Sequence, residues 1–128
     1  MVYPDYLQPL LNKMDPTFGR TIDCGPGWWP LIRECADALQ DIDDQYLIYQ
    51  IKEKFGTLRF YFSTSDPSRE QQMRRIVKEF EKRSASTCEE SGSQGQLMIK
   101  HGRYRTLHSS FIEQGWRPAG TNWQKGDE

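Results

Sequence analysis

The sequence predicts a small α+β fold, in which an antiparallel hairpin over residues 46–62 packs against helices and a ribbon-like hairpin follows near the C-terminus. Apolar side chains recur at helical spacing in residues 28–42 and again in residues 67–80, with charged side chains between them. Residues 46–62 instead alternate with a period of two and are rich in β-branched and aromatic side chains, which is typical of strands. A length of 128 residues corresponds to one domain.

The N-terminal third is expected to contain two helices. Apolar residues at i, i+3 and i+4 spacing predict a short helix over residues 4–14, with Pro9 tolerated if it lies in the first turn. The turn signal Gly25-Pro26-Gly27 delivers Trp28 and Trp29 to the start of the second helix. One of these adjacent tryptophans is expected in the core. The other either anchors a partner or packs on the N-terminal helix.

The main hairpin carries the first candidate binding residues. If the apolar side chains of its second strand face the core, the opposite face presents Lys52, Lys54, Arg59 and Tyr61 to solvent. Cationic residues beside an aromatic ring suit either a phosphate backbone or a protein-binding hot spot. A cross-strand pair between Arg59 and Glu53 is the structural alternative.

A third helix is predicted to start at Ser65-Asp66-Pro67, because Ser or Asp can cap a helix and Pro suits its first turn. Its charged faces include Arg74 and Arg75, which are further candidates for contact with a partner. Residues 84–95 are polar and rich in Gly and Ser, which predicts a loop.

A second, shorter hairpin is expected around His101-Gly102, followed by a brief helix at residues 109–115. We therefore expect a single α+β domain over residues 1–115. Residues 116–128 are expected to form a flexible tail.

Composition narrows the functional classes. The formal net charge is −1, but residues 1–45 carry eight acidic and three basic side chains, whereas residues 46–110 carry twelve basic and seven acidic ones. This asymmetry is compatible with an anionic partner, although dedicated nucleic-acid binders are usually more basic. The three cysteines are widely spaced, and neither a secretory signal nor an apolar run of about 18 residues is visible. We expect a cytoplasmic protein with no membrane partner.

Three stretches of the chain resemble a family of small proteins of phages and prophage-bearing bacteria. Residues 22–32, IDCGPGWWPLI, are similar to the family's eCGdGWw-LI opening. Residues 50–62, QIKEKFGTLRFYF, resemble its QvKEKFGtLRFY hairpin and are the most specific part. The third stretch starts with TCEESG at residue 87 and continues through residues 106–108, where family members carry a four-ligand zinc ribbon, iCe-CG-pG-L…gW-rTLC--H/C. The resemblance implies a fold and a setting, and no particular activity.

The ribbon-like segment, residues 87–111, is degenerate at the ligand positions that the resemblance implies. Cys88 and His108 occupy the first and third positions, whereas Ser91 and Phe111 fall at the second and fourth. Structural zinc takes four Cys or His ligands, and neither serine nor phenylalanine replaces them. Even with His101 as a weak further candidate, the set is incomplete, so we expect neither zinc nor another cofactor. Packing is then expected to hold this hairpin, with contributions from Leu97, Ile99, Tyr104 and Leu107.

Three functional hypotheses remain. The leading one is a non-enzymatic, intracellular protein-binding module of phage or prophage type, such as an inhibitor of a host or defence factor. Its candidate contact residues are Trp29, Lys52, Lys54, Arg59, Tyr61, Arg74 and Arg75. The first alternative is a nucleic-acid-binding accessory protein that uses the basic region 46–110. The second is a thiol- or metal-dependent hydrolase in which Cys88 and His108 act as nucleophile and base.

Overall fold

The computed structural model describes residues 3–120, which form an α+β fold of three α-helices, short 3-10 helices and two small sheets. At the N-terminus, a 3-10 turn at Asp5–Leu7 leads into helix α1, Gln8–Leu11, with Pro9 in its first turn. The predicted helix over residues 4–14 is therefore too long. It ends early because the backbone of Lys13 and Asp15 hydrogen-bonds to Ile48 of a neighbouring strand.

Helix α2, Trp29–Ile42, follows the turn at residues 25–27 and confirms the helical pattern of the sequence. Trp28, just before it, is fully buried, and its indole Nε1 donates to the carbonyl oxygen of Thr87 at 2.7 Å. The apolar stripe of α2 contributes Ile32, Cys35 and Leu39 to the main core, where none of the three is exposed. Cys35 is the buried thiol that its position on this stripe indicates.

The first sheet contains β1, Ile22–Asp23, β2, Leu47–Lys54, and β3, Thr57–Ser63, in the order β1-β2-β3. Strands β2 and β3 form the predicted antiparallel hairpin, and β1 pairs with β2 in parallel. The register shifts between Ile48 and Gln50, which marks a β-bulge. Because of the bulge, both Ile48 and Ile51 face the core, although a regular strand would place them on opposite faces.

Helix α3, Glu70–Ser84, starts after a 3-10 turn that Asp66 caps, as predicted. It lies against α2 and along β3, the edge strand of the first sheet. Met73 and Val77 are its buried residues in the main core. Within residues 3–120, this 15-residue helix is the longest, and no helix combines the length and apolar character needed to cross a bilayer.

The second sheet contains β4, Gln96–Lys100, β5, Arg103–Leu107, and β6, Arg117–Pro118, in the order β5-β4-β6. The predicted second hairpin is therefore present, and the helix expected after it is a 3-10 helix at Ser109–Gln114. A second core lies under this sheet and consists of Cys88, Met98, Leu107 and Trp116, with Phe111 packed against them.

Two expectations for the C-terminal region are corrected. Trp116 is only 8% exposed and residues 117–118 pair with β4, so the chain is ordered past the predicted start of the tail at residue 116. The rest of that prediction, residues 121–128, lies outside the described residues. Leu97 and Tyr104, expected to hold the hairpin by packing, are exposed by more than a third, and Met98 and Trp116 occupy the core instead.

The loop before α2 packs backbone against backbone on the turn at residues 88–92, a contact that we call the seam. A Cβ atom on Gly27 would lie 2.2 Å from the carbonyl oxygen of Cys88 and 2.5 Å from the amide nitrogen of Gly92. The Gly27 N–H donates to the carbonyl oxygen of Glu89 at 2.7 Å. Glycine is therefore required at position 27 because of close approach.

Glu89 strengthens the seam through its side chain, which is almost fully buried. One carboxylate oxygen accepts the Gly25 N–H at 2.8 Å, and the other accepts Nε of Arg105 at 3.2 Å. Arg105 also pairs with Glu90. A carboxylate can be buried in this way because a cation and a backbone donor replace its water.

We expect Gly27→Ala to lower the free energy of unfolding by at least about 2 kcal/mol, because the added methyl group forces two backbones apart and breaks the bond to Glu89. Urea denaturation at neutral pH measures this change. Pro26→Ala, an exposed change in the same loop, is the control and should cost much less. Equal effects of the two substitutions would contradict the tight seam.

Asp43, the residue after α2, ties the end of this helix to the loop before α3. One of its carboxylate oxygens accepts Ser65 Oγ at 2.7 Å and the Gln45 N–H at 3.0 Å. The other accepts Thr64 Oγ1 at 2.6 Å and the Ser65 N–H at 2.7 Å. These hydrogen bonds, led by those from the Ser65 and Thr64 hydroxyls, favour the ionised form and hold the pKa of Asp43 below its usual range.

The stabilisation by ionised Asp43 should be fully present above the unfolded-state pKa of about 3.9 and be lost as the pH falls from there toward the lower folded-state pKa. We therefore expect Asp43→Asn to destabilise the protein at pH 7, and the difference from the unmodified protein to shrink below about pH 4. Urea denaturation between pH 7 and pH 3 tests this, with the exposed Asp41→Asn as control. A difference that stays constant across this range would refute the role of the charge.

Candidate functional site

An open groove of about 570 Å³ runs along the outer edge of β3, between this strand and α3. We call it the β3 groove. Cationic and aromatic side chains dominate its lining, with one carboxylate, that of Glu81. The cations are Lys54, Arg59, Arg74 and Lys78, and the aromatic side chains are Tyr49, Phe55, Phe60, Tyr61 and Phe62.

Side chains of α3 close the backbone edge beneath the groove. The Leu58 N–H donates to Ser84 Oγ at 3.0 Å, and the Phe60 N–H donates to Oε2 of Glu81 at 3.1 Å. These bonds occupy amides that an edge strand otherwise offers to another strand. A molecule in the groove would therefore be recognised mainly by side chains.

The charges of the groove are only partly neutralised. Arg74 pairs with Glu70 at 3.4 Å and lies over the Phe62 ring, with its guanidinium carbon 5.8 Å from the ring centroid. In contrast, Arg59 has no hydrogen bond or ion pair to a side chain within residues 3–120. The alternative pairing of Arg59 with Glu53 is absent from the same residues, because Oε2 of Glu53 accepts the Gly56 N–H at 2.7 Å in the hairpin turn.

The residue directly across the ladder from Arg59 is Lys52. Like charges at opposing positions of a sheet destabilise it. Lys52 finds a partial partner in the Tyr61 ring, whose centroid lies 5.8 Å from Nζ. The outward face of the hairpin thus keeps two cations side by side, and their repulsion would be relieved by a bound anion.

A second, shallower depression of about 430 Å³ adjoins Tyr61 and is lined by Phe18, Tyr49 and Gln50. Phe18 and Tyr61 are 57% and 43% exposed, which is unusual for side chains of this size. The rings of Phe18 and Tyr49 meet edge to face, with centroids 6.0 Å apart. Aromatic side chains therefore continue from the β3 groove onto the solvent face of the sheet.

The groove brings together four of the residues that the sequence proposed, Lys54, Arg59, Tyr61 and Arg74, and Lys52 lies beside them. It does not include the other two. Trp29 packs edge to face on Tyr3, with centroids 5.4 Å apart, so its ring contact is with a residue just before the predicted N-terminal helix. Arg75 is exposed on α3 but does not line the groove.

Sequence reasoning missed Phe18, Tyr49, Phe55 and Lys78. Phe18 ends a 3-10 turn in a segment for which the sequence predicts neither helix nor strand. Tyr49 lies at the β-bulge, whose position no local sequence pattern indicates. Lys78 could have been found, because it lies four residues after Arg74 and so on the same face of the helix.

The ribbon residues form a different kind of site. Cys88 is fully buried, and its Sγ accepts the Ser91 N–H at 3.5 Å. Burial raises the pKa of the Cys88 thiol, but hydrogen bonds from Ser91 and from the His108 backbone outweigh this effect and lower the pKa below its usual value. By contrast, burial raises the pKa values of Cys24 and Cys35.

The two histidines do not converge on Cys88 as ligands. His108 uses Nδ1 to accept the Ser110 N–H at 3.1 Å, as the cap of the following 3-10 helix. His101 lies in the exposed turn between β4 and β5, whereas His108 follows the other end of β5, so that the length of this five-residue strand, roughly 17 Å, separates them. Within residues 3–120, no group of three or more His, Cys, Asp or Glu side chains has the arrangement of a metal site.

Comparisons with protein-family models, curated proteins and solved structures find no match.

Proposed function

We propose that the chain is a non-enzymatic, cytoplasmic protein-binding module of the phage or prophage type that its motifs resemble, and that its partner is a host or defence protein. The observation that supports this most is the β3 groove, whose lining residue Arg59 lies across the ladder from Lys52 just outside it. Neither cation has a carboxylate partner among residues 3–120. Tyr and Arg are the side chains that most often dominate binding energy in protein interfaces. The groove combines both types with exposed aromatic surface.

The proposal requires that the groove residues, rather than charge in general, hold the partner. We expect the tagged protein to capture a stoichiometric protein from host lysate, and the double variant Arg59→Ala/Tyr61→Ala to bind it at least about 30-fold more weakly, since hot-spot residues contribute 2 kcal/mol or more. Calorimetry with the purified partner measures the affinity.

Arg75→Ala is the matched control, because it removes an exposed arginine of α3 that does not line the groove. Its affinity should equal that of the unmodified protein. The proposal is wrong if no stoichiometric protein is captured, or if the double variant retains full affinity.

The aromatic depression beside Lys52 and Arg59 favours a second candidate function, binding of single-stranded nucleic acid. Bases stack on exposed rings such as Phe18 and Tyr61, and neighbouring cations hold the phosphates.

This alternative predicts an affinity for oligonucleotides that falls steeply with salt, by roughly one decade per decade of salt for each phosphate contact. Fluorescence anisotropy with labelled single- and double-stranded DNA and RNA, between 20 and about 200 mM salt, tests it. An absence of binding at the lowest salt would exclude this function.

A further inference from the structure

Phe55 is exposed to an extent that the fold does not require. It occupies the first position of the two-residue turn between β2 and β3, and 68% of its surface is exposed. This fraction is the highest among the large hydrophobic side chains of residues 3–120. Its ring contributes to neither of the two cores.

The backbone of Phe55 is also in an unfavourable conformation for its type. Both turn residues have positive φ, +52° for Phe55 and +84° for Gly56, as a type I′ turn requires. Glycine meets this requirement without cost, and Asn or Asp suits the first position, whereas a bulky side chain is strained there. The turn between β4 and β5 has the same geometry, but its first residue is His101, a type that adopts positive φ more readily.

Phe55 therefore departs from two preferences at once, because an apolar ring lies in water on a strained backbone. Such departures concentrate at functional sites, where a binding requirement outweighs local stability. The surroundings of Phe55 indicate what it would bind. Its ring lines one end of the β3 groove, with Nζ of Lys54 5.8 Å from the ring centroid.

The charges along the groove favour an anionic occupant. Beyond Phe55, the lining includes Arg59, Arg74 and Lys78, and its one carboxylate, Glu81, already accepts the Phe60 N–H. The chain as a whole is nevertheless weakly acidic, with a net charge of −1 and a strongly acidic first third. Long-range repulsion from that region disfavours a polyanion as dense as nucleic acid, so charge complementarity is better met by a short acidic segment of a protein.

We propose that Phe55 is an anchor of the interaction surface, and that the β3 groove binds an acidic protein segment carrying an aromatic or apolar side chain that packs on Phe55. This inference rests on the proposed function, of which it names the partner chemistry. Because Ser84 and Glu81 occupy edge amides of β3, the segment is held by its side chains rather than as an added strand.

The decisive variant is Phe55→Asn, which removes the ring and installs the side chain that a type I′ turn prefers. The full-length protein is titrated at low salt with a random glutamate–tyrosine copolymer, with poly-glutamate and with oligo-dT, and binding is followed by NMR amide shifts. We expect the copolymer to bind more tightly than poly-glutamate and to shift amides of residues 54–61 and 74–78. Phe55→Asn should weaken copolymer binding about tenfold or more, while raising the Tm by about 2–5 °C.

His101→Asn is the matched control, since it installs the same residue at the same position of the same turn type on the other hairpin. It should leave copolymer affinity unchanged. A Phe55→Asn variant that binds as tightly as the unmodified protein, or one whose Tm falls, would show that Phe55 is no anchor. Tighter binding of oligo-dT than of the copolymer, or no copolymer binding at all, would overturn the proposal that the groove binds an acidic protein segment. None of these results touches the proposed function, which fails separately, through lysate capture with the Arg59 and Tyr61 variants.

Discussion

The close approach of backbones at the seam is the constraint on which the rest of the structure depends. Two chain segments more than 60 residues apart meet there so tightly that Gly27 has no room for a Cβ atom. Buried Glu89 joins the two segments by accepting from the Gly25 backbone and from Arg105. The indole of Trp28 donates to the carbonyl oxygen of Thr87 beside this contact, so that the largest side chain of the main core is oriented by the residue that precedes the turn at residues 88–92.

The second sheet also fixes the hairpin turn on which the candidate surface is built. Thr106 Oγ1 donates to the carbonyl oxygen of Gly56 at 2.6 Å, and Leu97 lies so close to Gly56 that a Cβ atom there would be 2.5 Å from its side chain. The turn is thus held on its Gly56 side, while Phe55 remains exposed. The ribbon-like segment is in this sense a support for the β3 groove. Its own core needs Trp116, which packs with Cys88, Met98 and Leu107.

The sequence predicts those elements whose pattern is local. Helix α2, helix α3 and the β2–β3 hairpin follow from the periodicity of neighbouring residues, and the same reasoning places Arg59 and Tyr61 on the outward face. This reasoning fails where a contact between residues far apart in the chain determines the local structure. Helix α1 ends early because Lys13 and Asp15 pair with Ile48. The bulge changes the direction of the Tyr49 side chain. Trp116 packs in the second core, although the segment around it has no periodic pattern. Phe55 could have been recognised, because a phenylalanine before glycine in a two-residue turn conflicts with known turn preferences.

Two local costs of this fold lie at and beside the β3 groove, and their proximity supports recognition as the role of this surface. At the seam, buried donors and acceptors are paired, and glycine occupies the positions where backbones meet. At the β3 groove, by contrast, Arg59 faces Lys52 across the ladder, and Phe55 is both strained and exposed. Under selection for stability alone, a carboxylate would replace Lys52 or Arg59, and asparagine would replace Phe55. A partner that supplies negative charge and an apolar side chain would remove both costs in a single binding event.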